Sequence, residues 1–166
     1  MADMTIALAG NPNAGKTTIF NSLTGLRQHT GNWPGKTVEK KEGMIEYGGL
    51  KINVVDLPGT YSLTAYSPEE IIARDFILEN RPDVVINVVD ATNLERNLYL
   101  TVQLLELEAP VVMALNMTDD LQKDGSQINL DHLSQFLGDI PIVSTAANRG
   151  VGIPELISKA VKAAKR

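Results

Sequence analysis

A run bounded by two glycines near the start of the chain lies between a strand-like segment and a helix-forming segment. The run, residues 10–17, reads GNPNAGKT; residues 5–9 before it are mostly apolar, and residues 18–23 after it suit a helix. Such a loop wraps its backbone N–H groups around a polyphosphate, and the helix points its positive dipole end at the same oxygens. Lys16 then reaches the β and γ phosphates, and the Thr17 hydroxyl binds Mg²⁺. The residues that we expect to contact a nucleoside triphosphate here are Gly10, Asn11, Pro12, Asn13, Ala14, Gly15, Lys16, Thr17 and Thr18.

The length and the composition limit the classes of protein to which the chain can belong. Its 166 residues, 43% of them hydrophobic, suffice for one buried core, so we expect a single domain over residues 1–166. The absence of cysteine excludes disulfides and thiolate metal sites. A net charge of −5 argues against a nucleic-acid-binding surface. The apolar runs are far shorter than the ~20 residues of a membrane helix, so we expect no membrane insertion by this chain.

Three further apolar segments are typical of buried parallel strands. They are residues 52–55, 84–89 and 111–115, and a polar residue closes each strand: Asp56, Asp90 and Asn116. The carboxyl ends of strands are where open α/β sheets bind their ligands. We therefore expect these polar residues to lie near the phosphate site.

The segments between the strands complete a fold prediction. Residues 94–105 and 156–164 have helical periodicity, and Gly48–Gly49 is a hairpin signal that makes one strand antiparallel. The order predicts an α/β fold of the P-loop NTPase type, with a mostly parallel six-stranded sheet, one antiparallel edge strand and helices on both faces. Residues 25–37 and 57–68 show neither helical nor strand periodicity of apolar residues, so we expect two mobile loops beside the phosphate site.

The motif Asp56-Leu57-Pro58-Gly59 supplies a second part of that site. Asp56 ends a strand with a carboxylate suited to hold Mg²⁺ through its shell, and the Gly59 N–H can meet a γ-phosphate without an interfering side chain. Taken alone, the motif is also compatible with a strand-ending turn. Its position one strand after the phosphate loop favours the functional interpretation.

The motif Asn116-Met117-Thr118-Asp119 follows another buried strand and indicates which nucleotide base the site binds. Asp119 can accept hydrogen bonds from the guanine N1–H and N2 amino group, whereas adenine offers no such donor pair. We expect Asn116 to support the base pocket. An Asx turn is the alternative for this motif. We also expect Ser144, Thr145 and Ala146 to present backbone N–H groups to the guanine O6, although this composition is common in ordinary loops.

With these motifs in order, the chain resembles a translation-factor-like small GTPase over its whole length. Five segments are more closely similar to the cytosolic, Ras-like G domain of the ferrous iron transport protein B family: residues 10–17, 31–39, 56–63, 71–75 and 90–100. Met117, where most GTPases have lysine, also fits that family. In the family, a helical regulatory domain and a polytopic membrane portion follow the G domain. Neither follows Arg166, so the resemblance implies an isolated G domain of a transporter.

The resemblance assigns roles to further residues. Thr37 matches the threonine of the first switch that reaches Mg²⁺ and the γ-phosphate, although a strand-opening threonine is the alternative. Asn13 matches the asparagine that binds K⁺ in potassium-activated GTPases, with backbone carbonyls of residues 31–35, including Gly35, completing the shell; a turn-forming asparagine is the alternative. Thr60 stands where signalling GTPases often have a water-orienting glutamine, so we expect slow hydrolysis. The residues expected to act in hydrolysis are Asn13, Lys16, Thr37 and Gly59.

The leading hypothesis is a GTP/GDP-binding, GTP-hydrolysing switch that uses Mg²⁺ and K⁺ and regulates ferrous iron uptake. The resemblance implies the remainder of the iron transporter as its partner and the cytoplasmic side of the inner membrane as its location. A nucleotide-regulated docking module with negligible hydrolysis is a second hypothesis. A GTPase of ribosome or tRNA maturation is a third, and the acidic net charge argues against it.

Overall fold

The chain folds around one mixed β-sheet whose two faces are covered by helices. The computed structural model describes residues 2–164. Within them, seven strands form the sheet in the order β2-β3-β4-β1-β5-β6-β7. Their bounds are β1 Met4–Gly10, β2 Gln28–Asn32, β3 Glu39–Tyr47, β4 Leu50–Asp56, β5 Val84–Asp90, β6 Val111–Asn116 and β7 Ile142–Ser144.

Most of the strands run in the same direction. β1 pairs in parallel with β4 and β5, and β6 pairs in parallel with β5 and β7. β3 runs against both of its neighbours, β2 and β4. The predicted hairpin turn joins β3 to β4, and Gly48 and Gly49 have the positive φ angles, 57° and 80°, that such a tight turn requires. The predicted α/β class, with one antiparallel strand in a mostly parallel sheet, is confirmed.

The sheet has one strand more than the sequence predicts. β2 forms the outer edge and pairs with β3, so the antiparallel strand β3 is second from that edge. The sequence of β2, QHTGN, has no apolar alternation, and every residue of this strand after Gln28 is exposed. Backbone pairing with β3 orders this strand, and a hydrophobic pattern carries no information about such pairing.

Helices cover both faces of the sheet, as predicted. α1 and α6 pack on one face, and α2, α3 and α5 pack on the other. The bounds are α1 Lys16–Thr24, α2 Pro68–Asp75, α3 Leu94–Glu106, α4 Thr118–Lys123, α5 Leu130–Phe136 and α6 Ile153–Ala164. A π-helical turn, Phe76–Asn80, continues α2, and short 3₁₀ helices occupy Ala91–Asn93 and Ala147–Arg149. None of the helices within residues 2–164 combines the length and the apolar character needed to cross a bilayer.

The start of α2 follows from its sequence, whereas α4 and α5 give little signal. Ser67 caps α2 by accepting a hydrogen bond from the Glu70 N–H, and a proline occupies the first turn. α4 is one and a half turns long and buries no residue, so it has no apolar face to detect. α5 buries only Leu133. Both helices lie between β6 and β7.

Candidate functional site

The residues singled out in the sequence converge at one edge of the sheet. β1, β4, β5 and β6 are parallel, so their carboxyl ends lie side by side, and the register pairs Leu8 with Asp56 and Asp90 with Asn116. β1 runs directly into the loop of residues 10–17, called the phosphate loop below, and α1 begins at Lys16. Open α/β sheets bind ligands at this edge.

Close backbone approach requires both glycines of the phosphate loop. A Cβ added to Gly10 would lie 2.8 Å from the Val88 carbonyl oxygen. Gly15 has a φ of 94°, and a Cβ there would collide with the Asn116 side-chain nitrogen. Gly15 is also the N-cap of α1 and supplies no side-chain acceptor, so the first N–H groups of α1 remain available to an anion.

Lys16 and Asp56, predicted to contact phosphate and Mg²⁺, form an ion pair with each other. The Lys16 Nζ donates to the Asp56 Oδ1, and the two side chains are only 9% and 10% exposed. Burial makes either charge unfavourable without a partner of opposite sign. A phosphate that enters this site therefore competes with Asp56 for Lys16, and a cation competes with Lys16 for Asp56.

Asn116 joins three parts of the site. Its Nδ2 donates to the Ala14 carbonyl at 3.1 Å, and its Oδ1 accepts from the Thr145 hydroxyl at 2.9 Å and from the Ala147 N–H at 3.1 Å. The residue is 3% exposed. These bonds fix the phosphate loop against the loop that follows β7, and support of a base pocket by Asn116 stays a prediction.

Asp119 presents one carboxylate oxygen with no partner. Its Oδ2 lies 3.3 Å from the Arg149 Nε, whereas its buried Oδ1 has no hydrogen-bond partner within residues 2–164. Met117 adopts a positive φ of 63° as the N-cap of α4, which positions the helix that carries Asp119. The Met117 Cε comes within 3.6 Å of a Cβ built on Gly15, so this side chain lies over the end of the phosphate loop. Sequence reasoning missed Arg149, which has no motif of its own.

Residues 144–146 shape the pocket differently from the prediction. The Thr145 N–H donates to the Leu115 carbonyl at 2.8 Å, and the Ala146 N–H donates to the Val151 carbonyl at 3.1 Å. The Ser144 hydroxyl donates to the Thr118 hydroxyl at 3.1 Å. The Thr145 and Ala146 N–H groups were predicted to donate to a guanine O6. In this structure they donate instead to the carbonyl oxygens of Leu115 and Val151.

The segment after Asp56 packs against the phosphate loop. The Thr60 N–H donates to the Gly10 carbonyl at 3.1 Å, and Thr60 is 5% exposed. A Cβ on Gly59 would be 3.4 Å from the Pro12 backbone nitrogen, so Gly59 lies directly beside this loop. We refer to residues 57–66 as the second-switch loop. This loop therefore contacts the phosphate loop, and the contact of the Gly59 N–H with a γ-phosphate stays a prediction.

Polar contacts join the second-switch loop to the helices beyond it. The Leu63 N–H donates to the Gln103 side chain of α3 at 2.5 Å. The hydroxyls of Ser62 and Thr64 donate to one Glu70 carboxylate oxygen at 2.5 and 2.8 Å. Hydrogen bonding by Ser62, and then by Thr64, holds the pKa of Glu70 below its ordinary value. The loop is therefore tied to α2 and α3.

Several further predicted residues lie on the surface. Asn13, with a φ of 72°, and Thr17 and Thr18 are exposed on the phosphate loop and the first turn of α1. Gly35 and Thr37 are exposed in residues 33–38, called the first-switch loop below. The contact of Thr37 with Mg²⁺ and the γ-phosphate stays a prediction.

Asn11 differs from its exposed neighbours. It is 4% exposed, and neither polar atom of its side chain has a hydrogen-bond partner within residues 2–164. It lines a cavity of about 190 Å³ between the phosphate loop and the start of α3, together with Asp90 and Arg96. Arg96 lies over the Tyr61 ring, 4.3 Å from its centroid. Asn11 therefore faces this cavity, and sequence reasoning assigned no role to Arg96.

Comparison with known proteins identifies the family. The model of ferrous iron transport protein B matches residues 4–160. The chain is 55% identical over 152 residues to the Fe(2+) transport protein A/Fe(2+) transporter FeoB fusion protein of Porphyromonas gingivalis, covering 91% of this chain and 18% of that protein. It is 53% identical over 160 residues to the Fe(2+) transporter FeoB of Escherichia coli K12, covering 94% and 21%. The chain thus spans about a fifth of the length of these relatives.

Solved structures show the same fold. The FeoB G-domain from Methanococcus jannaschii is 51% identical, with a TM-score of 0.88 and full coverage, 100%, of both chains. The cytosolic domain of the T. maritima FeoB iron transporter in a GDP form is 48% identical, with a TM-score of 0.94, covering 98% of this chain and 64% of that one. The predicted G-domain fold of the P-loop NTPase class is confirmed. The chain belongs to the ferrous iron transport protein B family.

Proposed function

We propose that this chain is a GTP-binding and GTP-hydrolysing switch domain that regulates ferrous iron uptake across a membrane. The observation that carries the proposal is the buried Asp119 Oδ1, which has no hydrogen-bond partner within residues 2–164. Guanine supplies two donors, N1–H and the N2 amino group, to such a carboxylate, and adenine does not. A site that leaves a buried charge unpaired rejects the wrong base strongly. Asn116 donates a hydrogen bond to the phosphate loop, so the base pocket and the phosphate site would lie at a fixed distance from each other.

The phosphate end of the site has matching chemistry. The uncapped N-terminus of α1 and the backbone of the phosphate loop suit an anion, and Lys16 would exchange Asp56 for phosphate oxygens. Asp56 and the exposed Thr17 hydroxyl then provide the oxygen ligands that Mg²⁺ prefers. When bound, Mg²⁺ neutralises charge on the β and γ oxygens. Thr37 would join these residues through movement of the exposed first-switch loop.

Slow intrinsic hydrolysis and stimulation by K⁺ are part of the proposal. Thr60 is buried with its N–H bonded to Gly10, and Tyr61 is stacked under Arg96, so neither side chain suits a water-orienting role. The exposed Asn13 carbonyl offers an oxygen of the kind that binds K⁺, with backbone carbonyls of the loop before Thr37 as further ligands. Bound K⁺ would supply positive charge where the transition state needs it.

The family suggests the setting of this switch. Relatives are named as Fe(2+) transporters and are about five times as long as this chain, and the T. maritima structure is described as a cytosolic domain in a GDP form. We therefore propose the remainder of such a transporter as the partner and the cytoplasmic side of the inner membrane as the location. Ferrous iron is the cargo of the whole protein.

One experiment tests the activity. The purified chain is assayed for hydrolysis of GTP and of ATP with Mg²⁺, each in KCl and in NaCl at equal ionic strength. We expect GTP turnover alone, faster in KCl. Equal turnover of ATP would contradict the base assignment. Tight GTP binding with no turnover in either salt would contradict the enzyme assignment and favour a docking module regulated by nucleotide.

A further inference from the structure

Trp33, the only tryptophan of the chain, anchors the first-switch loop in the hydrophobic core. The residue is 6% exposed and belongs to the core cluster that includes Ile72 and Phe76. The Phe76 ring packs edge-to-face on the indole at a centroid distance of 5.7 Å, and the Lys40 Nζ lies 4.7 Å from the indole centroid. The indole therefore joins the loop to the π-helical turn after α2 and to β3, which carries Lys40.

This anchor fixes the position of Thr37. The Trp33 N–H donates to the Val38 carbonyl at 2.9 Å, and the Lys36 N–H donates to the Trp33 carbonyl at 2.9 Å, so the loop is closed at its base. Val38 packs against the same core cluster, whereas residues 34–37 are all exposed. Because Thr37 directly precedes Val38, it cannot move far while the indole stays in the core and the base of the loop stays closed.

The buried position of the indole is not fully satisfied. The Trp33 Nε1 has no hydrogen-bond partner within residues 2–164, and a buried donor without a partner opposes burial. A cavity of about 290 Å³ also borders this residue, so the packing on that side is incomplete. Release of the indole lets its N–H bond to water, which partly offsets the lost packing. The anchored and the released loop are therefore closer in free energy than the burial of the ring alone predicts.

We propose that Trp33 is a positioning residue that sets the preference between GDP and GTP. The anchored loop holds Thr37 in its exposed position, which leaves GDP binding unaffected because GDP has no γ-phosphate. For Thr37 to reach the γ-phosphate and Mg²⁺ of GTP, the loop moves and the indole leaves the core. This release costs free energy, so it lowers the affinity for GTP but not for GDP. The inference rests on the proposed switch function and names the residue that restrains the switch.

The single tryptophan reports on its own position. Quenching of its fluorescence by acrylamide is measured with saturating Mg²⁺–GDP and with a saturating non-hydrolysable GTP analogue, and calorimetry measures the binding of both nucleotides. We expect weak quenching with GDP, as for a residue 6% exposed, and several-fold stronger quenching with the analogue. If the analogue binds but quenching is equal in the two states, the anchor role is wrong and the switch function is untouched. If the analogue does not bind, the proposed function fails and the anchor role fails with it.

Two lysine variants test the sign of the effect. Lys40→Met removes the charge above the indole and should raise the affinity for the analogue relative to GDP about two- to fivefold, the factor that an exposed cation–π contact contributes. Loss of a positive charge by itself acts in the opposite direction, because the analogue is more negative than GDP. Lys159→Met, which changes an exposed lysine of α6 on the other face of the sheet, should leave the ratio of the two affinities unchanged.

Trp33→Leu removes the ring itself. It should raise the ratio of analogue affinity to GDP affinity at least about fivefold, the lower end of typical coupling between a conformational change and binding. Unchanged GDP affinity would show that the variant is folded with its phosphate loop intact; if the variant does not fold, Lys40→Met and the wild-type quenching decide. The proposal is overturned if folded Trp33→Leu keeps or lowers the wild-type ratio, or if Lys40→Met behaves like Lys159→Met.

Discussion

Replacing Asp119 by alanine should remove the preference for guanine nucleotides without unfolding the chain. The substitution deletes the unpartnered Oδ1 that we assign to guanine and the Oδ2 that contacts Arg149. Two hydrogen bonds to a charged acceptor are worth about 1.5–3 kcal/mol each, so GDP affinity should fall by roughly 10²- to 10⁴-fold. ADP affinity should not fall and should rise as far as the unpaired carboxylate penalises adenine, because adenine has no donor pair for it. Calorimetric titration with both nucleotides measures the two effects.

The Arg149 contact provides the matched control. The Arg149 side chain is 61% exposed, so losing this ion pair should change the stability by less than about 1 kcal/mol. Arg149→Met breaks the same pair but leaves the Asp119 oxygens in place, and it should keep most of the preference for GDP. If Asp119→Ala still prefers GDP to ADP by the wild-type margin, or if Arg149→Met loses the preference equally, the reasoning about the Asp119 Oδ1 is wrong.

Three further predictions follow from the same site. Lys16→Ala should lower GDP affinity, GTP affinity and turnover together, and binding and rate assays that show only one loss would contradict its assignment. Asn13→Ala should abolish the rate difference between KCl and NaCl while retaining GDP binding; a persisting difference would refute its role with K⁺. Glu70→Gln should destabilise the chain at neutral pH by an amount that shrinks as the pH falls through the lowered pKa of Glu70, since a carboxyl with a lowered pKa stabilises the fold only while it is ionised. Thermal melts across this range that show a constant difference would contradict it.

The positions of Lys16, Asp56 and Asn116 could be predicted because each lies next to a strong local pattern. Buried parallel strands are recognisable as continuous apolar runs, and their carboxyl ends must meet at one edge of the sheet. The glycines of the phosphate loop were equally predictable, since only glycine tolerates the approach of Val88 and Asn116. Local pattern therefore located both the phosphate loop and the segment of residues 116–119 at this edge of the sheet.

The partners of these residues could not be predicted, because they depend on tertiary contacts. The ion pair between Lys16 and Asp56 joins residues that are separated by 40 positions in the chain. Strand β2 is ordered by pairing with β3 and has no hydrophobic signal of its own. Nothing in the sequence showed that the Thr145 and Ala146 N–H groups are already hydrogen-bonded, but the carbonyl oxygens of Leu115 and Val151 accept from them. Donor and acceptor assignments of this kind require coordinates.

The segment of residues 90–100 shows how a family motif acquires a physical explanation. The Asn97 side chain, 4% exposed, accepts from the Asp90 N–H at 3.1 Å and donates to the Asn93 carbonyl at 2.8 Å, which fixes the start of α3 against the end of β5. One residue earlier, Arg96 stacks on Tyr61 of the second-switch loop. That loop also hydrogen-bonds the phosphate loop through Thr60. A displacement of the phosphate loop would therefore reach α3 through contacts that this motif supplies, so its residues are explained by positioning rather than by contact with nucleotide.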